Sequence, residues 1–170
     1  MRHPHPTLRQ LVMAFVLILA ITMQAQHFSI ETQSDTLSYL VLRTKAGINR
    51  WQLKFPVYRL CEGDIDGDGI ADAMVGVVKT TRFDPSLARR IFLFKNVHGR
   101  VRPLWMGSRF GGILEDFRYA DGHLLTLQST TDGRYAVVRH CWRKFGLGVD
   151  SILISNVDRA TALSVFDHPK

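Results

Sequence analysis

Residues 64–80 read DIDGDGIADAMVGVVKT, and this stretch decides the fold because an acidic, glycine-rich loop runs directly into an apolar segment. Apolar side chains occur at both odd and even positions between 73 and 78. That pattern is typical of a strand covered on both faces, whereas the Asp-Gly pairs before it favour a tight turn. The sequence therefore predicts a central strand entered from a sharp acidic loop.

Short apolar runs separated by turn residues continue on both sides of this strand. Residues 50–60 alternate apolar and polar side chains with a period of two, as a strand with one buried face does. Residues 90–95 and 100–105 flank an Asn-Val-His-Gly turn, which predicts a hairpin. Together these runs predict a first four-stranded meander within residues 50–106.

A second four-stranded meander is predicted within residues 112–154, where the Asp-Gly pairs at 121–122 and 132–133 mark hairpin turns. The predicted fold class is all-β, with two antiparallel meanders that resemble β-propeller blades. A chain of 170 residues has room for about one domain, which we assign to residues 37–155. Residues 37–42 are a further candidate strand.

Three segments depart from this strand pattern. Residues 26–36 are polar and predict a flexible N-terminal segment. Asp84 followed by Pro85 predicts a short helical turn near 84–90. Residues 156–170 form a predicted C-terminal tail, in which 158–166 suit a helix capped by Asn156 or Asp158.

Residues 1–25 have the pattern of a secretory signal peptide. Arg2 and Arg9 precede an apolar run over 11–23, and Ala25 suits the position before cleavage. A retained membrane anchor is the alternative, but the run is shorter than the roughly 20 residues that a spanning helix needs. We expect a secreted or periplasmic protein without a membrane span after cleavage.

The charge of the chain is modestly basic. The formal net charge is +7, and removal of Arg2 and Arg9 with the signal leaves +5. Such a surplus favours proximity to anionic polymers or membranes, but no dense Lys/Arg run predicts a nucleic-acid partner. Export also permits a disulfide between Cys61 and Cys141. Two buried free thiols are the other interpretation, and the sequence leaves both open.

The loop at 64–72 carries the strongest chemical signal. Asp64, Asp66, Asp68 and Asp72 stand at loop positions one, three, five and nine, and Ile70 offers its carbonyl at position seven. Calcium takes about six to eight oxygen ligands, and this alternation directs them towards one point. The alternative is a set of polar turns, although four carboxylates within nine residues repel one another when no cation is present.

The loop lacks the EF-hand glutamate, since position twelve is Val75 within an apolar run. It resembles the FG-GAP or VCBS-type repeat of integrin-like domains, in which a calcium loop leads directly into a propeller strand. The match covers residues 63–76. It implies Ca²⁺ ligation by the aspartates and Ile70 at the family's ligand positions, and a blade-like unit rather than a complete receptor head.

We expect a non-catalytic binding or scaffold module of the cell envelope, with an envelope or extracellular glycan or protein as its partner. Trp105, Tyr135 and Trp142 are candidates for an aromatic ligand platform, since flat rings suit sugar faces. The alternative function is a small carbohydrate-active or cell-wall hydrolase with structural calcium. Its candidate carboxylates, Glu115 and Asp116, are adjacent and point to opposite faces of a predicted strand.

Overall fold

Eleven β-strands and one α-helix form within the residues that the structure, a computed structural model, describes: 26–82, 84–107 and 109–169. The strands form three antiparallel sheets, and each strand pairs only with its neighbours along the chain. No sheet closes on itself within these ranges. The predicted signal peptide at 1–25 lies outside the described residues, and no helix that the structure describes is long and apolar enough to cross a membrane.

The first three strands form the N-terminal sheet: β1 (His27–Ser34), β2 (Leu37–Thr44) and β3 (Gly47–Leu53). The next four form the middle sheet: β4 (Val57–Gly63), β5 (Asp72–Thr81), β6 (Asp84–Val97) and β7 (Arg100–Trp105). The last four form the C-terminal sheet: β8 (Ile113–Ala120), β9 (His123–Ser129), β10 (Tyr135–Arg143) and β11 (Gly146–Val157). Helix α1 (Arg159–Asp167) follows β11.

The predicted fold class is confirmed: two four-stranded meanders and a C-terminal helix are present. Helix α1 begins after Asp158, whose side chain accepts a hydrogen bond from the Thr161 N–H and so caps the first turn. Ala162 and Phe166 are its buried residues, and they pack on the outer face of the C-terminal sheet.

Residues 26–36 and 50–60 differ from their predicted roles. Most of the first segment is strand β1, which pairs with β2, where a flexible segment was predicted. The second segment is split between β3 and β4, which belong to different sheets. Pro56 lies between these two strands. Its carbonyl accepts the Val78 N–H at 2.9 Å, so the chain has already turned towards β5 at this residue.

The predicted helical turn near 84–90 is wrong, because these residues begin strand β6. Thr81 and Asp84 pair across a turn, in which the Asp84 N–H donates to the Thr81 hydroxyl at 3.1 Å. The Asp84 carboxylate accepts from the Ser86 N–H and from Arg90. An Asp-Pro pair has local features of a helix start, but strand pairing with β5 satisfies the backbone instead.

The middle sheet is buried on both faces, which explains the unbroken apolar run of β5. Ala73, Val75 and Val77 face the N-terminal sheet. Met74 faces the C-terminal sheet, where Phe117 of β8 is fully buried beside it. The molecule is thus a stack of three sheets with helix α1 on one end, and the acidic loop opens at an edge of the middle sheet.

Candidate metal centre and binding cleft

The acidic loop, residues 64–72, joins two neighbouring strands of the middle sheet. Gly63 at the end of β4 pairs with Asp72 at the start of β5, so the loop begins and ends at one point of the ladder. Gly67 and Gly69 have φ angles of 79° and 82°, a region that suits glycine. These two glycines allow the chain to turn back over itself within a few residues.

Asp64 organises this turn through its carboxylate. Its Oδ1 accepts hydrogen bonds from the backbone N–H groups of Gly67 at 2.7 Å and Asp68 at 3.0 Å. Its Oδ2 accepts from the Gly69 N–H at 2.8 Å. Because three backbone donors surround it, the carboxylate is held at the centre of the loop rather than in solvent.

Asp72 is the buried member of the loop, with an exposed fraction of 0%. Its Oδ2 accepts the Ile65 N–H at 3.2 Å, whereas its Oδ1 is buried without a hydrogen-bond partner. Burial, followed by the negative charge of Asp66, raises the pKa of Asp72 to about 7. A buried carboxylate oxygen without a donor is costly, and a cation beside it would lower that cost.

Three of the predicted ligands come together. Carboxylate oxygens of Asp64, Asp66 and Asp72 lie within 4.8 Å of one another, so the group could hold a metal ion. Asp68 is not in this group. It accepts from the Ile70 N–H at 2.9 Å and from Lys95, whose hydrogen bond is the main cause of its lowered pKa. The side chain of Ile70 is 41% exposed.

Lys95 of β6 is a part of the site that the sequence prediction missed. Its ammonium donates to Asp66 at 2.5 Å and to Asp68 at 2.8 Å, and these contacts raise the pKa of Lys95. A signal was present in the sequence, since Ile91, Leu93 and Lys95 share one face of a period-two strand. A lysine on the inward face of an apolar strand indicates a buried anionic neighbour.

Tyr119 of β8 connects the acidic loop to the C-terminal sheet. Its hydroxyl donates to the Asp64 carbonyl at 2.8 Å. Its ring lies so close to Gly63 that a Cβ added there would be 2.0 Å from Cε1. Burial and the charge of Asp64 raise the pKa of Tyr119, so the hydroxyl stays protonated and able to donate at neutral pH.

We predict that Tyr119→Phe lowers the free energy of unfolding by about 1 kcal/mol, because the ring contact stays and only the hydrogen bond is lost. Urea denaturation measures the change. Tyr135→Phe removes a hydroxyl from β10 and serves as the control. An unfolding midpoint for Tyr119→Phe equal to that of the control would mean that the hydroxyl does not hold the loop.

The predicted disulfide cysteines and the two candidate catalytic carboxylates do not pair with each other. Cys61 and Cys141 are both free, so of the two interpretations the structure has the unpaired thiols, and burial raises the pKa of Cys61. Glu115 accepts from the Ser129 hydroxyl at 2.6 Å, whereas Asp116 pairs with Arg59 at 2.6 Å. The two carboxylates thus have separate partners and do not form an acid/base pair.

A separate cleft of about 940 Å³ contains two of the three predicted platform residues. Trp105 and Trp142 line it together with Phe110, whose ring centroid is 6.3 Å from that of Trp105. Tyr135 does not take part, which corrects the predicted platform. It lies at the opposite end of β10 from Trp142 and packs in the cluster beneath α1.

The floor of the cleft carries a short hydrogen-bonded chain. Gln128 donates to the Thr126 hydroxyl at 2.7 Å, and that hydroxyl lies 2.9 Å from His140 Nε2. His140 is 4% exposed, and burial lowers its pKa to about 4. The imidazole is therefore neutral at pH 7, and the positive charge of the cleft comes from its arginine and lysine side chains.

Comparison with family models, curated proteins and solved structures finds no match to this chain.

Proposed function

We propose that this chain is an exported, non-catalytic binding module of the cell envelope, secreted or periplasmic, with one structural calcium ion in its acidic loop. The signal-like pattern of Arg2, Arg9 and the apolar run at 11–23 supports export. The separate partners of Glu115 and Asp116 support a non-catalytic role.

The observation that carries the calcium proposal is the buried Oδ1 of Asp72. This oxygen has no hydrogen-bond partner, and Asp72 belongs to the group formed with Asp64 and Asp66. Desolvating a carboxylate that has only one hydrogen bond is costly, and repulsion by Asp66 adds to that cost. A divalent cation among the three carboxylates would offset both.

Calcium suits this group better than zinc or a softer metal. The group offers oxygen atoms and contains no cysteine or histidine. Calcium accepts irregular oxygen shells completed by backbone carbonyls and water, whereas zinc prefers nitrogen and sulfur ligands. The resemblance of residues 63–76 to FG-GAP and VCBS-type loops favours the same ion.

The proposed role of the ion is structural. It would fix the loop between β4 and β5, and Tyr119 already ties that loop to the C-terminal sheet. Binding only to the folded chain adds RT ln(1 + [L]/Kd) to the free energy of unfolding, which is about 2.7 kcal/mol at a hundredfold excess over Kd. The loop and the stacking of the two sheets would be stabilised together.

Melting of the mature protein in chelator and in millimolar calcium tests this proposal. We expect calcium to raise Tm by about 5 to 10 °C, because about 1 kcal/mol corresponds to 2–4 °C in a chain of this size. Equilibrium dialysis should find one ion per chain, and magnesium at the same concentration is the control. An unchanged Tm together with no retained calcium would refute the metal site.

A further inference from the structure

The cleft is open to solvent and mostly apolar at its outer end. Phe145, at the tip of the hairpin between β10 and β11, is 96% exposed, and Val149 and Ile152 on β11 are 56% and 61% exposed. All three line the cleft. Several large apolar side chains that are this exposed in one cleft are typical of a binding surface rather than of an ordinary protein exterior.

The walls come from two sheets and are held in place by close packing. A Cβ added at Gly146, beside the hairpin tip, would lie 2.8 Å from Nε1 of Trp105 at the end of β7. Phe110 packs edge-on to His140, with ring centroids 5.1 Å apart. The aromatic walls are therefore preformed, and a ligand does not have to open the cleft.

The charge of the lining is of one sign. Arg109, Arg143 and Lys144 line the cleft, and no aspartate or glutamate is among its described lining residues. Arg109 is 3.6 Å from Asp84 and is partly neutralised by it. Arg143 and Lys144 lie beside Phe145 at the hairpin tip, where Arg143 also donates to the Val149 carbonyl at 3.4 Å. An anionic group on the ligand would match these two cations.

The neutral polar side chains of the lining are already hydrogen-bonded, which argues against a sugar. Gln128 and His140, the neutral polar side chains that line the floor, already bond to Thr126, and Gln128 also accepts the Gly112 N–H at 2.8 Å. A pyranose has hydroxyl groups around its whole rim and would bury several of them without partners. A flexible hydrocarbon chain has no such requirement.

We propose that this cleft binds a single anionic amphiphile, with the acyl chain on the Trp105, Phe110 and Trp142 rings and the negative head group at Arg143 and Lys144. The inference rests on the proposed role as a binding module and names the class of its ligand. Charge complementarity and the apolar lining of the cleft select this occupant.

Quenching of tryptophan fluorescence by dodecanoate with a terminal bromine tests the proposal directly. Trp51 packs on Phe94 elsewhere in the core, so a Trp51→Phe variant leaves Trp105 and Trp142 as the reporters. We expect saturable quenching below the micellar concentration. The uncharged methyl ester of the same acid should bind about tenfold more weakly, because it has no charge for the two cations.

Substitutions at the exposed tip are chosen so that the fold is left intact. Phe145→Ser and Lys144→Glu should each weaken binding about tenfold, the first through lost apolar contact and the second through reversed charge. Ile48→Ser removes a 52%-exposed apolar side chain from β3 and should change binding by less than about twofold. Circular dichroism of each variant confirms folding.

The proposal would be overturned by no quenching by the brominated acid, by equal binding of acid and ester, or by binding of glucuronic acid in place of the acid. Co-sedimentation with phosphatidylglycerol vesicles without binding of monomeric dodecanoate would also overturn it, in favour of a bilayer surface. The calcium-dependent Tm is measured on the same samples. A retained calcium shift without amphiphile binding therefore rejects this inference alone and leaves the metal site standing.

Discussion

At pH 8, changing Asp72 to asparagine is expected to make the chain more stable than the parent in chelator and less stable than the parent in calcium. In chelator, the substitution removes a buried negative charge that has one unpartnered oxygen and lies beside Asp64 and Asp66. The neutral amide removes this repulsion and lowers the cost of burial. In calcium, the same change removes a charged ligand.

The size and sign of the effect in chelator follow from the pH dependence of the free energy of unfolding. The pKa of Asp72 rises from 3.8 to about 7 in the folded chain. Between those values the folded state binds more protons than the unfolded state, so the free energy of unfolding falls as pH rises from about 4 to 7. One pKa unit corresponds to about 1.4 kcal/mol, so the loss is on the order of 4 kcal/mol, and Asp72→Asn should abolish it.

Urea denaturation at pH 5 and pH 8, in chelator and in calcium, measures both effects. Asp121→Asn is the matched control, because Asp121 has a φ of 51° in a hairpin turn of the C-terminal sheet, and asparagine tolerates that region. The control should follow the parent under all four conditions. Equal destabilisation of Asp72→Asn with and without calcium would mean that Asp72 serves only as a hydrogen-bond acceptor for Ile65.

Gly76→Ala is expected to destabilise the stack by about 1 to 3 kcal/mol. A Cβ at Gly76 on β5 would lie 2.6 Å from Tyr58 Cζ and 2.7 Å from Phe117 Cε1. Phe117 is fully buried and packs edge to face on Tyr58 at 6.1 Å, so the Phe117 ring cannot move towards solvent. The added methyl group would therefore separate the middle and C-terminal sheets.

Thermal unfolding of Gly76→Ala checks this, with Gly111→Ala as the control. A Cβ at Gly111 has only Gln128 Oε1 at 3.9 Å as a neighbour, so its Tm should stay close to that of the parent. Phe117→Leu makes room beside Gly76, and the double variant should lose less stability than the sum of the two single changes. Additive losses would show that the methyl group added by Gly76→Ala does not act through contact with Phe117.

The sequence predicted the regular part of the fold because its signals are local. Period-two patterns and Asp-Gly turns identify the hairpins of both four-stranded sheets, and the two-sided apolar run of 73–78 identifies the buried strand. The N-terminal sheet was not predicted, because residues 27–34 are mostly polar on one face. On this face Glu31 pairs with Arg43 and Arg50 at the surface. Such polar residues in strand β1 have the composition of a flexible segment.

The candidate sites were predicted only where the residues lie close together along the chain. The spacing of Asp64, Asp66 and Asp72 was enough to place three carboxylates together. Lys95 and Tyr119 reach the loop from other strands, and no spacing rule connects them to it. The cleft could not be predicted from spacing either, because its lining combines the end of β7, the chain around Phe110 and the hairpin tip of the C-terminal sheet.

The exclusive pairing of each strand with its neighbours along the chain has a consequence for how the molecule folds. Every backbone ladder can form from a contiguous piece of chain, so the entropy lost in closing long loops is small at that stage. Side-chain packing between sheets is then the step that needs distant residues. We expect hairpins to form first, and the rate of folding to be limited by docking of the two flanking sheets onto the faces of the middle one.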